Sequence, residues 1–220
     1  MQLKSLAHLS GLLLLTTALS GCLGNGGGAG GGGGGGGDPK PLEDYDTAYD
    51  AMANTLATTT QLTGNANYQG QVKVEVLDQV GGQAEGHIVG DIDLNVAFGG
   101  PVEGTVSGTA TNFRGTVNNQ DVSLSGTLDT ANSNLPNITA PSEQALPTGG
   151  SIWLTNLSAG MRGTLTDDET GESSDTELSL LGTFVGTNGS GAHGAAAMTI
   201  DNANTPVFIA GGGTFYLERQ

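Results

Sequence analysis

From Asn65 to the end of the chain, apolar and polar side chains alternate over most of the sequence. Tyr68 to Val76 shows this period of two, and Ile88 to Phe98 repeats it. A period of two places successive side chains on opposite faces of an extended strand. The pattern predicts eight strands, at residues 68–76, 88–98, 102–110, 122–128, 152–165, 176–185, 192–200 and 207–217.

The short connections between these segments indicate how the strands pair. Parallel neighbours need crossover helices, which this region lacks, so we expect antiparallel pairing. Isolated glycines on the apolar face, such as Gly90, Gly104 and Gly108, mark positions where a sheet bends or a large neighbour needs room. Eight strands can close into a barrel filled by its own side chains, whereas a sandwich usually has longer Greek-key crossings. An up-and-down barrel is therefore favoured over a sandwich.

The other face of the strands is polar, with Lys73, Glu75, Asp91 and Asp93 among its residues. A barrel that spans a membrane needs an outward apolar band flanked by aromatic girdles, and aromatic residues are only 5% of this chain. The sequence thus predicts a mainly β fold, an eight-stranded antiparallel soluble β-barrel with its apolar side inward.

One helical pattern precedes the strands, between Leu42 and Leu62, just after Pro41. Its apolar residues recur at intervals of three and four, at Tyr45, Ala48, Tyr49, Met52 and Leu56. We predict a short helix that packs this stripe against the barrel.

The first 22 residues have the features of an export signal. Lys4 precedes the apolar run Leu12–Leu15, which is too short to span a bilayer comfortably, and small residues follow it. Leu19-Ser20-Gly21-Cys22 resembles the lipobox of bacterial lipoproteins, although an ordinary signal peptide with a chance cysteine stays open. The resemblance implies cleavage before Cys22 and acylation of that residue. Leu23, in place of the aspartate of an inner-membrane retention signal, implies delivery to the outer membrane.

A glycine run follows the cysteine, from Gly26 to Gly37, broken only by Ala29. It has almost no side chains to bury, so we interpret it as a flexible tether of about 15 residues with an r.m.s. span of roughly 20 Å. The expected organisation is a signal peptide (1–21), a lipidated cysteine and tether (22–37), a helical segment (38–62) and a barrel domain (63–220).

Charge and cysteine content exclude several function classes. Six Lys and Arg stand against 22 Asp and Glu, a formal net charge of -16. Nucleic acid and anionic lipid would repel such a chain, so neither is expected to bind through charge. A single cysteine excludes an intramolecular disulfide and a cysteine-cluster metal site.

Several strand segments resemble a known family. The stretches Thr63–Gly70, Asp91–Phe98, Gly104–Phe113 and Gly182–Gly186 are similar to the barrel domain of bacterial surface lipoproteins of the transferrin-binding protein B type. The resemblance implies a barrel that binds a host protein, in some members after translocation to the cell surface. It does not imply transferrin binding, because this chain has one barrel instead of two lobes, and Thr187-Asn188-Gly189 replaces a typical acidic residue and alanine.

No catalytic pattern stands out. His87 and His193 have no metal-ligand spacing and are expected to be exposed hairpin residues. The chain lacks a Gly-x-Ser-x-Gly nucleophile elbow. Asp167–Asp175 offers carboxylates for Ca²⁺ but not the alternating ladder of a calcium loop, so a solvated hairpin tip explains it equally. We therefore expect no enzyme, no cofactor and no metal site.

A long connection without a clear period runs from Thr130 to Gly150. Connections of this length are usually functional or disordered. In the predicted barrel it shares one end with the Gly99–Pro101 turn and the Thr187–His193 hairpin, while the acidic hairpin and the Asp78–Glu85 loop share the other. Candidate partner-binding residues are Asn134, Pro136, Asn137, Pro141, Glu143 and Pro147.

The expected function is that of a non-enzymatic lipoprotein of the outer membrane, on either its surface or its periplasmic face. Its barrel would bind a protein or other macromolecule, from the host or the environment, through loops at one end. Two alternatives stay open: a lipocalin-like carrier of a lipid, haem or iron compound, and a structural envelope protein. The oligomeric state is left open too.

Overall fold

The computed structural model describes residues 43–77, 82–201 and 209–220. Signal peptide, Cys22, tether and residues 38–42 lie outside the described residues, as do residues 207–208 of the last predicted strand. The elements are α1 (Glu43–Ala53), β1 (Thr63–Leu77), β2 (Ala84–Gly99), β3 (Gly104–Val117), β4 (Gln120–Gly126), β5 (Leu128–Asp129), a 3₁₀ turn (Thr130–Asn132), β6 (Ile138–Ala145), β7 (Ser151–Asp167), β8 (Ser173–Val185), β9 (Gly191–Asp201) and β10 (Ile209–Arg219).

The strands form one antiparallel sheet that closes on itself. Strand β1 pairs with β2 on one side and with β10 on the other, which closes the ring. Strands β4, β5 and β6 all lie between β3 and β7 and share a single position in the ring. The ring therefore has eight positions, and the prediction of an eight-stranded antiparallel up-and-down barrel is confirmed.

Glycines serve the two purposes expected of them. A Cβ at Gly90 would overlap the ring of Phe113, so the missing side chain makes room for a buried aromatic residue. A Cβ at Gly211 would collide with the carbonyl oxygen of Glu75 on the paired strand, so β10 can approach β1 closely only with glycine there. These close approaches allow long strands to bend around a narrow barrel.

A bulge in β3 keeps its apolar residues inside. Val89 of β2 pairs with Arg114, but Asp91 pairs with Thr111, so β3 carries one extra residue between them. Asn112 lies at this point with φ of 55°, a left-handed conformation that asparagine tolerates. Before this bulge the even-numbered residues of β3 face inward, and after it the odd-numbered ones do, so that Ala110 and Phe113 are both buried.

Helix α1 packs against the outer wall and is shorter than the sequence pattern suggested. Tyr45 is buried beside Tyr216, with ring centroids 5.5 Å apart, and its hydroxyl lies 2.9 Å from Thr214 Oγ1. The helix ends at Ala53, and Leu56, predicted to lie on its apolar stripe, is 86% exposed. The reason is that residues 57–59 leave the helix and bond to strand ends: Thr58 N donates to Phe184 O.

The interior of the ring is filled with apolar side chains over most of its length. Phe113, Phe215, Leu94 and Met161 are almost fully buried within it. Val102, predicted as the inward start of a strand, instead lies in the turn before β3 and is 64% exposed. No helix among the described residues is long and apolar enough to cross a membrane.

Candidate functional site

The up-and-down topology gives the barrel two ends with different connections. One end carries residues 100–103, 146–150 and 186–190, and we call it the ribbon end. The opposite end carries residues 118–119 and 168–172, and β1 and β9 also finish there; we call it the cavity end. The long connection's final turn thus shares an end with the glycine turn and the 186–190 connection, and the acidic hairpin lies at the other, as expected.

The expected loop from Thr130 to Gly150 is largely regular structure, so that expectation is wrong. It contains the 3₁₀ turn and β6, which pairs with β7 from Ile138↔Ser158 to Ala145↔Ser151. The sequence of β6, Ile-Thr-Ala-Pro-Ser-Glu-Gln-Ala, lacks apolar alternation because most of its residues are partly or fully exposed. Its proline is also a residue more typical of loops than of strands. The residues between β5 and β6, Thr130–Asn137, form an excursion from the wall that we call the wall insert.

Between β5 and β6 no strand lies between β3 and β7, and side chains of the wall insert accept the hydrogen bonds that such a strand would accept there. Asn137 Oδ1 accepts from Gly160 N of β7 at 2.8 Å, and Thr130 Oγ1 accepts from Gly108 N of β3 at 3.0 Å. Asn137 Nδ2 also donates to the carbonyl oxygens of Thr130 and Leu135, both at 3.3 Å. Since unpaired buried amides are costly, these contacts make the insert a structural seal.

The six candidate partner-binding residues divide between two places. Asn134, Pro136 and Asn137 belong to the wall insert on the outside of the barrel, where a Cβ at Gly160 would meet Leu135. Pro141 and Glu143 lie in β6, and Pro147 lies in the turn before β7. The structure therefore does not bring the six together on one surface, and Asn137 has a structural role.

A two-stranded ribbon extends from the ribbon end. Residues 141–145 of β6 and 151–155 of β7 pair with each other past the last pairs with β3 and β8. Five residues of strand cover about 17 Å. Trp153, the only tryptophan of the sequence, lies in this ribbon and is partly buried, and its backbone N donates to Thr59 O at 3.1 Å. Ser151 Oγ donates to Glu143 Oε1 at 2.6 Å across the ribbon.

Three aliphatic side chains are exposed on separate connections of the ribbon end. They are Leu56 at 86%, Val102 at 64% and Leu146 at 40%, and we call them the apolar rim. Leu56 lies beside the 186–190 connection, because its carbonyl accepts from Gly186 N at 2.8 Å. Single exposed aliphatic residues are ordinary, but here three lie on connections of the same end, with Leu146 in the turn at the tip of the ribbon.

Beneath the apolar rim the barrel is packed shut. Tyr68, Phe98 and Phe184 form an aromatic cluster with ring centroids 4.9 to 6.4 Å apart. The Tyr68 hydroxyl donates to Gly189 O at 2.6 Å, and burial raises the pKa of Tyr68 to about 12. Any partner at this end must therefore bind to the surface.

The cavity end is open instead. Its interior holds a cavity of about 260 Å³. Among the described residues, seven aliphatic side chains from six strands line it: Val76, Ile88, Val117, Val122, Leu124, Leu165 and Ile200. A second, narrow crevice beside it reaches Gly211, where β10 contributes no side chain. The large aromatic residues of the described core lie farther inside or at the ribbon end, so they leave this space unfilled.

In the part of the chain that the structure describes, polar side chains line the cavity only along the acidic hairpin. Asp167, Thr170, Glu172 and Ser174 complete its lining. Asp167 Oδ1 accepts from the backbone amides of Glu169 and Thr170, at 2.9 and 2.8 Å, and so holds the turn. Hydrogen bonds from Ser123 and Ser125 lower the pKa of the neighbouring Asp168.

Other candidate chemistry is scattered. Within the described ranges no three His, Cys, Asp or Glu side chains are close enough to hold a metal ion. His193 is not an exposed hairpin residue, because it lies in β9 with its ring 6.2 Å from that of Tyr49, and this burial lowers its pKa. His87 lies in β2 toward the cavity end, far along the strands from His193.

Asp91 has a structural role on the outer face. It accepts hydrogen bonds from Gln71, Asn112 and Arg114, at 2.9, 3.2 and 3.5 Å. Gln71 in turn accepts from the Tyr216 hydroxyl at 3.2 Å. This network stabilises the outer wall of the barrel beside α1.

Comparison with protein-family models, with curated proteins and with solved structures finds no match to this chain. The fold and the site therefore rest on the geometry described above.

Proposed function

We propose that this protein is a lipid-anchored protein of the bacterial outer membrane whose barrel binds a partner protein through its ribbon end. The lipobox-like Leu19–Cys22 and the glycine tether support the anchor. The observation that carries the binding proposal is the apolar rim: Leu56, Val102 and Leu146 are exposed on three connections of the ribbon end, Leu146 in the turn at the tip of the ribbon. The protein is proposed to act by binding, without catalysis.

The character of the ribbon end favours a macromolecule over a small ligand here. Its interior is filled by Tyr68, Phe98 and Phe184, so a partner there meets a packed surface. The ribbon adds an elongated surface that carries Trp153, and tryptophan is enriched at the centres of protein interfaces. Glu103 and Glu143 are exposed at this end, so a partner with basic residues around an apolar centre is the best complement.

Site-specific photo-crosslinking in living cells tests this proposal. A photoreactive amino acid at Val102 or at Leu146 should give the same discrete adduct with a second protein. The matched control is Leu181, an aliphatic residue of the side wall that is 59% exposed, where we expect no such adduct. Adducts of equal yield from Leu181, or none from the rim, would exclude the ribbon end as the contact surface.

Surface exposure needs its own measurement. Protease treatment of intact cells should cleave within the ribbon turn if the domain faces the outside. A domain on the periplasmic face would be cut only after the outer membrane is opened. The result decides whether the partner comes from the host or environment, or from the periplasm.

A further inference from the structure

The cavity end offers a binding site that the proposed function does not use. Its volume of about 260 Å³ exceeds the ~150 Å³ of an apolar cavity that takes up benzene, and approaches the ~300 Å³ at which pockets for drug-sized ligands begin. Side chains such as Ile88, Leu124 and Leu165 form its walls. A cavity of this size and lining suits the hydrocarbon part of a small molecule.

Charge restricts the other part of such a ligand. Among the described residues of the lining, the two ionisable groups are both carboxylates, Asp167 and Glu172. Asp167 accepts hydrogen bonds from the backbone of its own turn, whereas the exposed Glu172 carboxylate makes no hydrogen bond or ion pair with a described residue. An anionic head group would meet like charge here, while an ammonium group would gain a partner.

The basic residues of the described chain cannot reverse this field, because each is paired on the outer surface. Lys73 contacts Asp46 at 2.8 Å, Arg114 contacts Asp91 at 3.5 Å and Arg162 contacts Asp175 at 3.9 Å. Arg219 donates to Asn188 O at 2.8 Å at the ribbon end. Among the described residues, therefore, no positively charged side chain lies at the mouth of the cavity.

We infer that the cavity end binds a small amphiphile whose hydrocarbon part enters the barrel and whose head group is cationic, with neutral head groups accepted more weakly and anionic ones excluded. This site is independent of the ribbon end. It also differs from a fatty-acid carrier, which would need a basic residue at the mouth.

Three probes with the same eight-carbon chain test the head-group rule: octylamine, octanol and octanoate. Titrations use Gly37–Gln220, which form one compact unit with its own core, after circular dichroism has verified its strand content. We expect affinities in the order octylamine, octanol, octanoate. Each methylene from butylamine to octylamine should strengthen binding about fourfold until the cavity is full. Equal affinities for octylamine and octanoate, or no binding of all three, would overturn the inference.

The location of binding is measured on the unaltered sequence. Methyl chemical shifts of Ile88, Val122 and Leu124 should move on addition of octylamine, while emission of Trp153 at the ribbon end stays unchanged. Shifts confined to the ribbon end would contradict the assignment. These readouts do not depend on a partner protein, so failure of the ribbon-end proposal leaves this test intact.

Two substitutions separate charge from volume. Glu172→Lys should reverse the preference between octylamine and octanoate, and Glu169→Lys, in the same turn but outside the lining, should change it little. Val122→Phe should fill the cavity and weaken octylamine binding at least tenfold. If Val122→Phe folds and binds octylamine unchanged, the probe lies elsewhere and the cavity is not the site.

Discussion

Asn137 stands in for a missing residue of the barrel wall: its side-chain oxygen accepts the hydrogen bond that Gly160 N of β7 would otherwise give to a neighbouring strand, at 2.8 Å. The same amide group donates to two carbonyl oxygens within the wall insert. One side chain therefore provides the acceptor for an amide of β7 and also holds the wall insert against that strand. This relationship explains why eight residues can leave the sheet at Thr130–Asn137 without opening the barrel.

Replacement of that side chain should destabilise the domain. In Asn137→Ala the buried Gly160 amide loses its acceptor, which costs about 1–3 kcal/mol. The melting temperature should fall by roughly 2–4 °C for each kcal/mol of lost stability in a domain of this size. Asn134→Ala, three residues away and exposed, is the matched control and should leave the melting temperature within 1–2 °C. Equal effects of the two variants would contradict the sealing role.

The sequence predicts the barrel well because its signals are local. Alternation at Ile88–Phe98 and the spaced glycines follow directly from strand pleat and close packing. The fourth position of the ring is predicted only in part, since it is assembled from three pieces: the predicted strand 122–128 matches β4 and reaches β5, whereas β6 is missed. β6 contains Pro141 and shows little apolar alternation. It is a strand because it pairs along its whole length with β7, which the local sequence does not reveal. The prediction that Leu56 lies on the helix is wrong for a related reason. Thr58 forms hydrogen bonds with distant strand ends, and the helix ends before Leu56.

The contact between Gly90 and Phe113 gives a second stability test. In Gly90→Ala the new methyl group would overlap the Phe113 ring, and overpacking of this kind typically costs 1–3 kcal/mol. Combined with Phe113→Leu, the alanine should cost less than it does alone, since the ring is gone. Chemical denaturation of the two single variants and the double variant measures this coupling.

A matched glycine shows whether the effect is specific. Gly212→Ala meets no atom within 4 Å on the neighbouring strand and should be neutral or slightly stabilising. If Gly90→Ala and Gly212→Ala have the same free energy of unfolding, room for Phe113 is not why glycine occupies position 90.

High pH should weaken the fold within a defined window. Burial raises the pKa of Tyr68 to about 12, and burial together with nearby carboxylates raises that of Tyr216 to about 12. An unfolded tyrosine releases its proton near pH 10, so between about pH 10 and 12 the unfolded state binds fewer protons than the folded one. Stability should be fully present below pH 10 and decline as pH rises to 12.

Denaturant midpoints measured from pH 8 to pH 12 report this decline. The Tyr68→Phe variant has one titrating group fewer, so its midpoint should fall less steeply over the same interval, even though loss of the bond to Gly189 O lowers its stability at pH 8. A midpoint that is flat from pH 10 to 12 in the unaltered protein would contradict the buried, protonated state of these two hydroxyls.

The candidate sites are harder to predict than the fold. The cavity is the space left between aliphatic side chains of six strands, and no motif in the sequence marks such a space. Gly211 is a partial signal, because an inward glycine near a strand end leaves volume unfilled. The acidic hairpin was recognised, but only the pairing of β7 with β8 shows that Glu172 borders an apolar space.

The anchor is tested at Cys22, the single cysteine of the chain. With a lipid on this residue the protein should incorporate labelled palmitate and fractionate with membranes, because two or more acyl chains hold a protein stably while the acidic domain itself is repelled by anionic lipid. Cys22→Ala removes the acylated thiol, so label should be absent and the protein should leave the membrane fraction. Asn25→Ala, just beyond the proposed cleavage site, should behave like the unaltered chain. Membrane retention of Cys22→Ala would refute lipidation as the means of attachment, and the glycine run from Gly26 to Gly37 would then have no tethering role.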